Sequence, residues 1–421
     1  MMQFTLFLVL SSVGLFAIDC YVYRNWKRYA KYRTWAHHSL PYYRVLMVLM
    51  PLVLPVYLAF SRWWEVEPRL LRALVIGSWL VYYIPKLIIA TGIGVKDLAL
   101  FVIWLFGWFQ KRLLPAPVLT TSRSLDLTDM KRIPRRDFLR KMGWSVASAP
   151  FVVVGYGVFR TLYDFELHRI DVPIAGLPRA LQGLTIAQIS DLHAGSLFSP
   201  RPMLEAISIV NGLHPDLITV TGDFVNSDAA EVPLILPALN ALKASLGVYG
   251  CLGNHDHYAR VAEVASAVAT TPVDLLVNAH RTLDIDGARL HILGTDNTGF
   301  YQHHADLPAA LEGLVTGNEE SRILLAHDPT FWDTHILPDR PDIDLMLCGH
   351  THGGQLGVEL GPFRWSFASF AYPRWAGLYQ EPRSDGSGPQ YLYVNRGLGT
   401  VGPPLRLGIR PEVTLLTLLR A

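Results

Sequence analysis

Charge is scarce in this chain of 421 residues. Asp, Glu, Lys and Arg make up only 17% of it and hydrophobic residues 51%, where an ordinary soluble protein carries about 25% charged residues. The deficit is local, which excludes one uniform soluble body. Residues 1–163 are rich in Leu, Val, Trp and Tyr, whereas residues 164–421 have the composition of a soluble domain large enough for one core. Cysteine is also scarce: Cys20, Cys251 and Cys348 are scattered through apolar runs. This excludes a disulfide framework and a thiolate zinc site, and predicts small buried hydrophobes. A net charge of +2 supplies no basic excess for nucleic acid, so no nucleic-acid partner is expected.

Long apolar runs are what the first part does have. A membrane-crossing helix needs roughly 20 mostly apolar residues. Residues 2–23, 41–60 and 70–90 qualify, and 142–159 is free of charge and extends to 163. Residues 98–109 are apolar but short. Asp19 and Lys86 are the charges that stand out in these runs, each near an end. The spans otherwise lack the clustered charges that transport requires.

Charge bias orients the spans. Arg24, Lys27, Arg28, Lys31, Arg33 and Arg44 meet no acid in residues 24–44. Residues 110–141 are likewise basic, with Lys111, Arg112, Arg123, Lys131, Arg132, Arg135, Arg136, Arg140 and Lys141. Both segments are predicted to be cytoplasmic, which requires an even number of spans between them. The pair 41–60 and 70–90 satisfies that, so 98–109 is expected to be interfacial or re-entrant. The basic run "RNWKRYAKYR" is then a topogenic, lipid-facing flank rather than a phosphate-binding arm. The expected organisation is membrane helices over 1–109, a basic linker over 110–141, an anchor over 142–163 and a soluble domain over 164–421. That domain is expected to lie outside the cytoplasm of a multi-pass membrane protein.

The linker ends in "RRDFLRK", which resembles a twin-arginine export signal through Arg135, Arg136, Phe138 and Leu139. The twin-arginine translocase is therefore a candidate partner. Ala147-Ser148-Ala149 resembles a cleavage triplet, but it precedes most of the apolar run, which predicts a retained anchor.

From Leu184 onward one pattern recurs: a short apolar strand ends and metal-ligand residue types follow. Asp191 and His193 lie in "QISDLHAG", Asp223 in "VTGDFVN", and Asn254, His255 and Asp256 in "LGNHDHY". His327 lies in "LLAHDPT", and His350 and His352 in "CGHTHGG". Segments with helical spacing separate the first strands, and strand ends are where α/β sheets gather their sites. Oxygen and nitrogen donors without thiolate suit Mn, Fe or Zn. An extended backbone is expected to turn Asp191 with His193, and His350 with His352, toward a shared centre. His257 is read as an incidental polar residue.

These five motifs, in this order, resemble the calcineurin-like metallophosphoesterase superfamily across roughly residues 180–400. "QISDLHAG", "GHTHGGQ" and "YVNRGLGT…RLGIRPEVTLLTL" resemble its membrane-associated bacterial branch. The resemblance implies an α/β fold, a four-layer α-β-β-α sandwich behind the transmembrane helices. It implies two divalent metal ions: Asp191, His193 and His352 would hold one, Asn254, His327 and His350 the other, and Asp223 would bridge them. His255 would face the substrate, with Asp256 hydrogen-bonded behind it. Two such cations clamp a phosphoryl group and generate a hydroxide for in-line attack, while His255 stabilises charge or protonates the leaving oxygen.

The expected activity is a phosphoesterase acting on a phosphorylated small molecule or lipid, with membrane lipids as partners. The aromatic and arginine-rich stretch 356–380 is either a cover over the sheets or an amphipathic rim that meets lipid. A UDP-2,3-diacylglucosamine pyrophosphatase of lipid A synthesis is an alternative, and it needs a cytoplasmic domain. A transport or sensor protein with a decayed enzyme domain is a second alternative, disfavoured by the complete ligand set.

Overall fold

The computed structural model describes residues 2–31, 34–61, 69–113, 149, 151–157, 160, 164–197, 199–299, 303–315, 317, 319–361, 363–402 and 404–421. Residues 114–141 of the basic linker, with the arginine pair, fall outside these residues, as does much of the anchor over 142–163. The chain divides into two units, residues 1–155 and 156–421.

The first unit is built on α1 (Met2–Ala30), α2 (Thr34–Ser61) and α3 (Arg69–Leu113). Pro41, Pro51, Pro55 and Pro85 lie inside helices, a placement tolerated where neighbouring helices satisfy the freed backbone groups. Two stretches, Ala36–Leu58 and Leu74–Trp108, are long and apolar enough to cross a bilayer. The second corrects the reading of 98–109 as a separate segment, because that stretch continues α3 without a break. After Pro85 the helix carries Gly92, Gly94 and Gly107 as weak points, and glycine costs about 1 kcal/mol without ending a helix. At about 1.5 Å per residue, α3 is roughly twice as long as the ~30 Å hydrocarbon layer.

Asp19 and Lys86, which look isolated in sequence, are partners. Lys86 Nζ donates to Asp19 Oδ1 at 2.5 Å, with both residues buried. The hydroxyls of Tyr83, Tyr82 and Tyr43 also donate to this carboxylate at 3.0, 3.2 and 3.4 Å. The ammonium sits 3.2 Å from the Tyr82 ring centroid and 4.4 Å from that of Tyr43. One carboxylate thus ties all three helices together.

The second unit holds two six-stranded sheets. In chain order the strands are β1 (Glu166–Ile174), β2 (Thr185–Ile189), β3 (Leu217–Thr221), β4 (Val248–Cys251), β5 (Val273–Leu275), β6 (Ala279–Ile285) and β7 (Ala288–Gly294). They continue as β8 (Glu320–Leu325), β9 (Leu345–Cys348), β10 (Gly357–Leu360), β11 (Phe363–Ser366), β12 (Gly377–Pro382), β13 (Pro389–Val394) and β14 (Glu412–Arg420). One sheet runs β1-β14-β2-β3-β4-β5, the other β12-β13-β9-β8-β7-β6, and β10 and β11 form a separate hairpin. The strands that carry site motifs at their ends are central and parallel: β2 with β3, β3 with β4, and β8 with β9.

Alternation along these strands builds the layers. Ile323, Leu325, Leu345 and Leu347 join Ile186, Leu217 and Leu416 in the core between the sheets. The intervening Leu324, Met346 and Cys348 face an outer layer with Trp332 and Ile336. Ala187 and Val220 face the helix Arg201–Gly212 through Ala206 and Val210. This is the expected four-layer sandwich, with short helical turns covering the second sheet. Cys251 and Cys348 are buried free thiols, as their apolar surroundings predict.

The Asp19–Lys86 pair yields a test. Lys86→Met leaves a buried carboxylate without its cation, a change that costs about 3–5 kcal/mol in comparable buried pairs. The double variant Asp19→Asn with Lys86→Met should recover most of that loss. Thermal unfolding in detergent decides it: equal destabilisation of single and double variants would remove the ion pair from the account.

Candidate metal centre

The motif residues all lie just past strand ends, where the two sheets present a common edge. Asp191 and His193 follow β2, Asp223 follows β3, and Asn254, His255 and Asp256 open the short helix after β4. His327 follows β8, and His350 and His352 follow β9. The backbone there is not extended, which corrects the expected way of aiming these pairs. Asp191, His193, Asp223, His350 and His352 have φ between +44° and +71°, a left-handed region that non-glycine residues rarely occupy and that recurs at functional sites. The strands end one or two residues too early to place these side chains, and the left-handed turns bring them back over the edge.

Three groups result: Asp191 with His193 and His352, His193 with Asp223 and His255, and Asp223 with His327 and His350. His193 Nε2 lies 2.9 Å from His352 Nε2, and His352 Nε2 lies 3.3 Å from Asp191 Oδ1. His350 Nδ1 lies 3.3 Å from His327 Nε2. Asp223 joins the two sets through one atom: Oδ2 is 3.5 Å from His193 Nε2 and 3.0 Å from His327 Nε2. Asn254 stands at the same edge with a buried Oδ1 that has no hydrogen-bond partner. An unpaired buried acceptor beside converging imidazoles and carboxylates is the donor set a divalent cation requires.

The loops have no spare room. A Cβ on Gly253 would lie 2.2 Å from Asp223 Oδ1, and one on Gly349 would lie 1.9 Å from Ser190 Oγ. His327 Nδ1 donates to the carbonyl of Thr221 at 2.7 Å, which leaves Nε2 facing the centre.

Asp256 departs from expectation. Its carboxylate does not stand behind His255 but accepts the backbone amides of Gly253, Asp223, Phe224 and Val225 at 2.9, 3.0, 2.8 and 3.3 Å. Four amides outcompete one imidazole for a buried carboxylate, so Asp256 shapes the loop that carries Asp223. His255 is held instead by the carbonyl of Asn226, which accepts from Nδ1 at 2.5 Å. That contact fixes the tautomer and leaves Nε2 free to exchange a proton. His257, read as incidental, pairs with Asp296 at 2.7 Å and stacks on His304.

Sequence reasoning missed several supports. Tyr372 OH lies 2.9 Å from His350 Nε2, and Asp328 Oδ2 lies 3.6 Å from the same atom. Arg406, fully buried, donates to the carbonyls of Arg396, Gly397 and Gly399 at 2.8, 3.2 and 2.6 Å. It thereby clamps the loop that packs on Asp191 and His193. Position gave a signal only for Asp328, which adjoins His327; the others come from distant sequence.

Burial drives the electrostatics. It pushes the His193 imidazole down to about 3 and lowers that of His352, so both stand neutral at pH 7. Burial also opposes charge on His327, but Asp223 overrides it and pushes His327 up to about 10. Burial raises the Asp191 carboxyl to about 6.

This fold and this site define a metal-dependent phosphoester hydrolase. Residues 184–354 match the family model described as calcineurin-like phosphoesterase. Residues 2–162 match one described as "Probable Calcineurin-like phosphoesterase, transmembrane domain". A zebrafish (Danio rerio) protein named "Transmembrane protein with metallophosphoesterase domain" is 29% identical over 86% of this chain and 82% of its own. The metallophosphoesterase YkuE of Bacillus subtilis is 31% identical over 69% of this chain and 99% of its own. Phosphodiesterase YaeI of Escherichia coli is 29% identical over 68% of this chain and 99% of its own. The chain belongs to the calcineurin-like metallophosphoesterase family and is a membrane protein.

The two ligand groups should respond differently to pH. A metal at Asp223, His327 and His350 displaces the His327 proton, so its affinity should rise about tenfold per pH unit from 7 to 9 and level off near 10. His193 and His352 carry no proton to displace in that window, so affinity at Asp191, His193 and His352 should stay nearly flat. Equilibrium metal binding at several pH values measures both steps, and equal slopes would contradict the assignment.

Proposed function

We propose that the protein hydrolyses a phosphoester, most plainly a phosphodiester, of a lipid-linked or envelope phosphate at the outer face of a bacterial inner membrane. The observation that carries the reading is the single carboxylate oxygen of Asp223 set between two histidine groups. In this reading Asp191, His193 and His352 would hold one divalent cation, Asn254, His327 and His350 a second, and Asp223 would serve both. Mn, Fe and Zn all suit these donors. Two such cations, when bound, would supply charge neutralisation for the phosphoryl group and activation of water.

The remaining work belongs to the chain's own side chains. His255, with Nδ1–H committed to Asn226, presents Nε2 to protonate the leaving oxygen. Asp256 holds residues 223–225 and 253 in place through four amides, so it acts as a positioning residue. Tyr372 and Asp328 orient His350 from its far nitrogen, as supporting partners of metal-binding histidines commonly do.

Hydrolysis of bis(p-nitrophenyl) phosphate that chelation abolishes and divalent cations restore tests the reaction class. His255→Ala should keep both metals yet lose about 10²–10⁴-fold in turnover, the usual share of a general acid–base group. A variant that sheds a metal would make His255 a ligand.

The outward placement rests on the basic segments 24–44 and 110–141, and Arg135 and Arg136 fit export by the twin-arginine translocase. Changing both to lysine preserves charge and removes the arginine pair. The double variant should keep the domain shielded from protease added to intact spheroplasts. Unchanged external cleavage would leave the pair as an ordinary basic flank.

A further inference from the structure

The hairpin β10–β11 is amphipathic in the wrong sense for a water-facing surface. Its register pairs Val358 with Trp365 and Leu360 with Phe363, and pairs Glu359 with Arg364. Paired residues share a face, and successive residues alternate. Val358, Leu360, Phe363 and Trp365 therefore project from one face, and all four are exposed. The charged face bonds back to the domain, although Arg364 itself stays 38% exposed. Arg364 donates to Glu359 at 2.9 Å and to the Ala376 carbonyl at 2.8 Å, and lies over the Trp375 ring. Arg396 also donates to Glu359, at 2.7 Å.

The turn after β11 extends the apolar face. Phe367 and Phe370 are 54% and 77% exposed, and their rings lie 5.1 and 6.2 Å from Trp365. A contiguous exposed face of Trp, Phe and Leu with its charges tied inward marks an interaction surface. The hairpin is also braced on the metal-ligand turn: Ser366 Oγ donates to the Gly353 carbonyl, and Tyr372 reaches His350.

We propose that this face docks the catalytic domain onto the lipid bilayer, with Leu360, Phe363, Trp365, Phe367 and Phe370 entering the headgroup–acyl boundary. The chain's own apolar helices argue for that occupant, since Ala36–Leu58 and Leu74–Trp108 hold the chain at a bilayer. Aromatic and aliphatic side chains at an interface bury about 5–10 Å deep when charge is kept off the inserting face. The docking does not depend on which phosphoester is cleaved.

The test uses the full chain in nanodiscs with Cys20→Ala, because Cys251 and Cys348 are buried. Phe370→Cys, Leu360→Cys and, elsewhere on the domain, the exposed Val277→Cys each carry an environment-sensitive fluorophore. Lipids bearing a doxyl quencher high on the acyl chain should quench the probe at 370 and at 360 several-fold more strongly than at 277. Equal quenching at all three positions overturns the proposal. Shifted but unquenched emission at 360 and 370, with energy transfer between labelled copies, assigns the face to a second copy of the chain and overturns it as well.

Discussion

Asp223 Oδ1 accepts the His255 amide at 2.9 Å, while Oδ2 lies within 3.5 Å of an imidazole from each sheet. His193 hangs from the end of β2 and His327 from the end of β8, so this carboxylate can serve both only if the two sheets end at a common edge. The interior core sets that alignment. Gln188 Nε2 reinforces it across the seam by donating to the Cys348 carbonyl at 2.9 Å, two residues before His350. Asp256 then holds the Asp223 loop by its amides. The site is a consequence of sheet-on-sheet packing, and a shift of the seam would separate the two histidine groups before it unfolded either sheet.

How much of this could be read in the sequence follows from range. Strand ends were legible because burial on both faces makes parallel strands continuous apolar runs, and ligand residue types follow those runs directly. Left-handed backbone at Asp191 or His193 was not legible, because these residues pack closely against Gly397 and Gly399, which come from a remote segment. Asp256 was misplaced for the same kind of reason: adjacency to His255 suggested a pair, but its amide partners lie mostly 31–33 residues away. Asp19 and Lys86 are 67 residues apart, and nothing in the apolar pattern between them signals that they meet. The continuity of α3 was hidden because Lys96 and Asp97 interrupt its hydropathy without interrupting its hydrogen bonding.

The same rule governs the hairpin. Aromatics and arginines alternate loosely through residues 356–380, and composition left both a packed cover and a lipid-facing rim open. Register decides which residues share a face. Once Glu359 opposes Arg364 and both bind inward, the apolar residues have no remaining direction but out.

Charge balance gives the strongest physical case for cations. Among the described residues some buried charges come matched: Asp19 with Lys86, and Glu412 with Arg396. At the common edge Asp191 and Asp223 are buried together. Two of the nearest histidines, His193 and His352, are driven neutral by burial. His327 supplies one positive charge, and Arg406 directs its donors to backbone carbonyls. Burying unmatched carboxylates costs several kcal/mol each, and burying an acceptor such as Asn254 Oδ1 without a donor adds about 1–3 kcal/mol. Divalent cations bound to the neutral imidazoles would remove both costs at once. The histidines that burial keeps unprotonated are the ones ready to bind them, so desolvation itself favours a cation at this cluster.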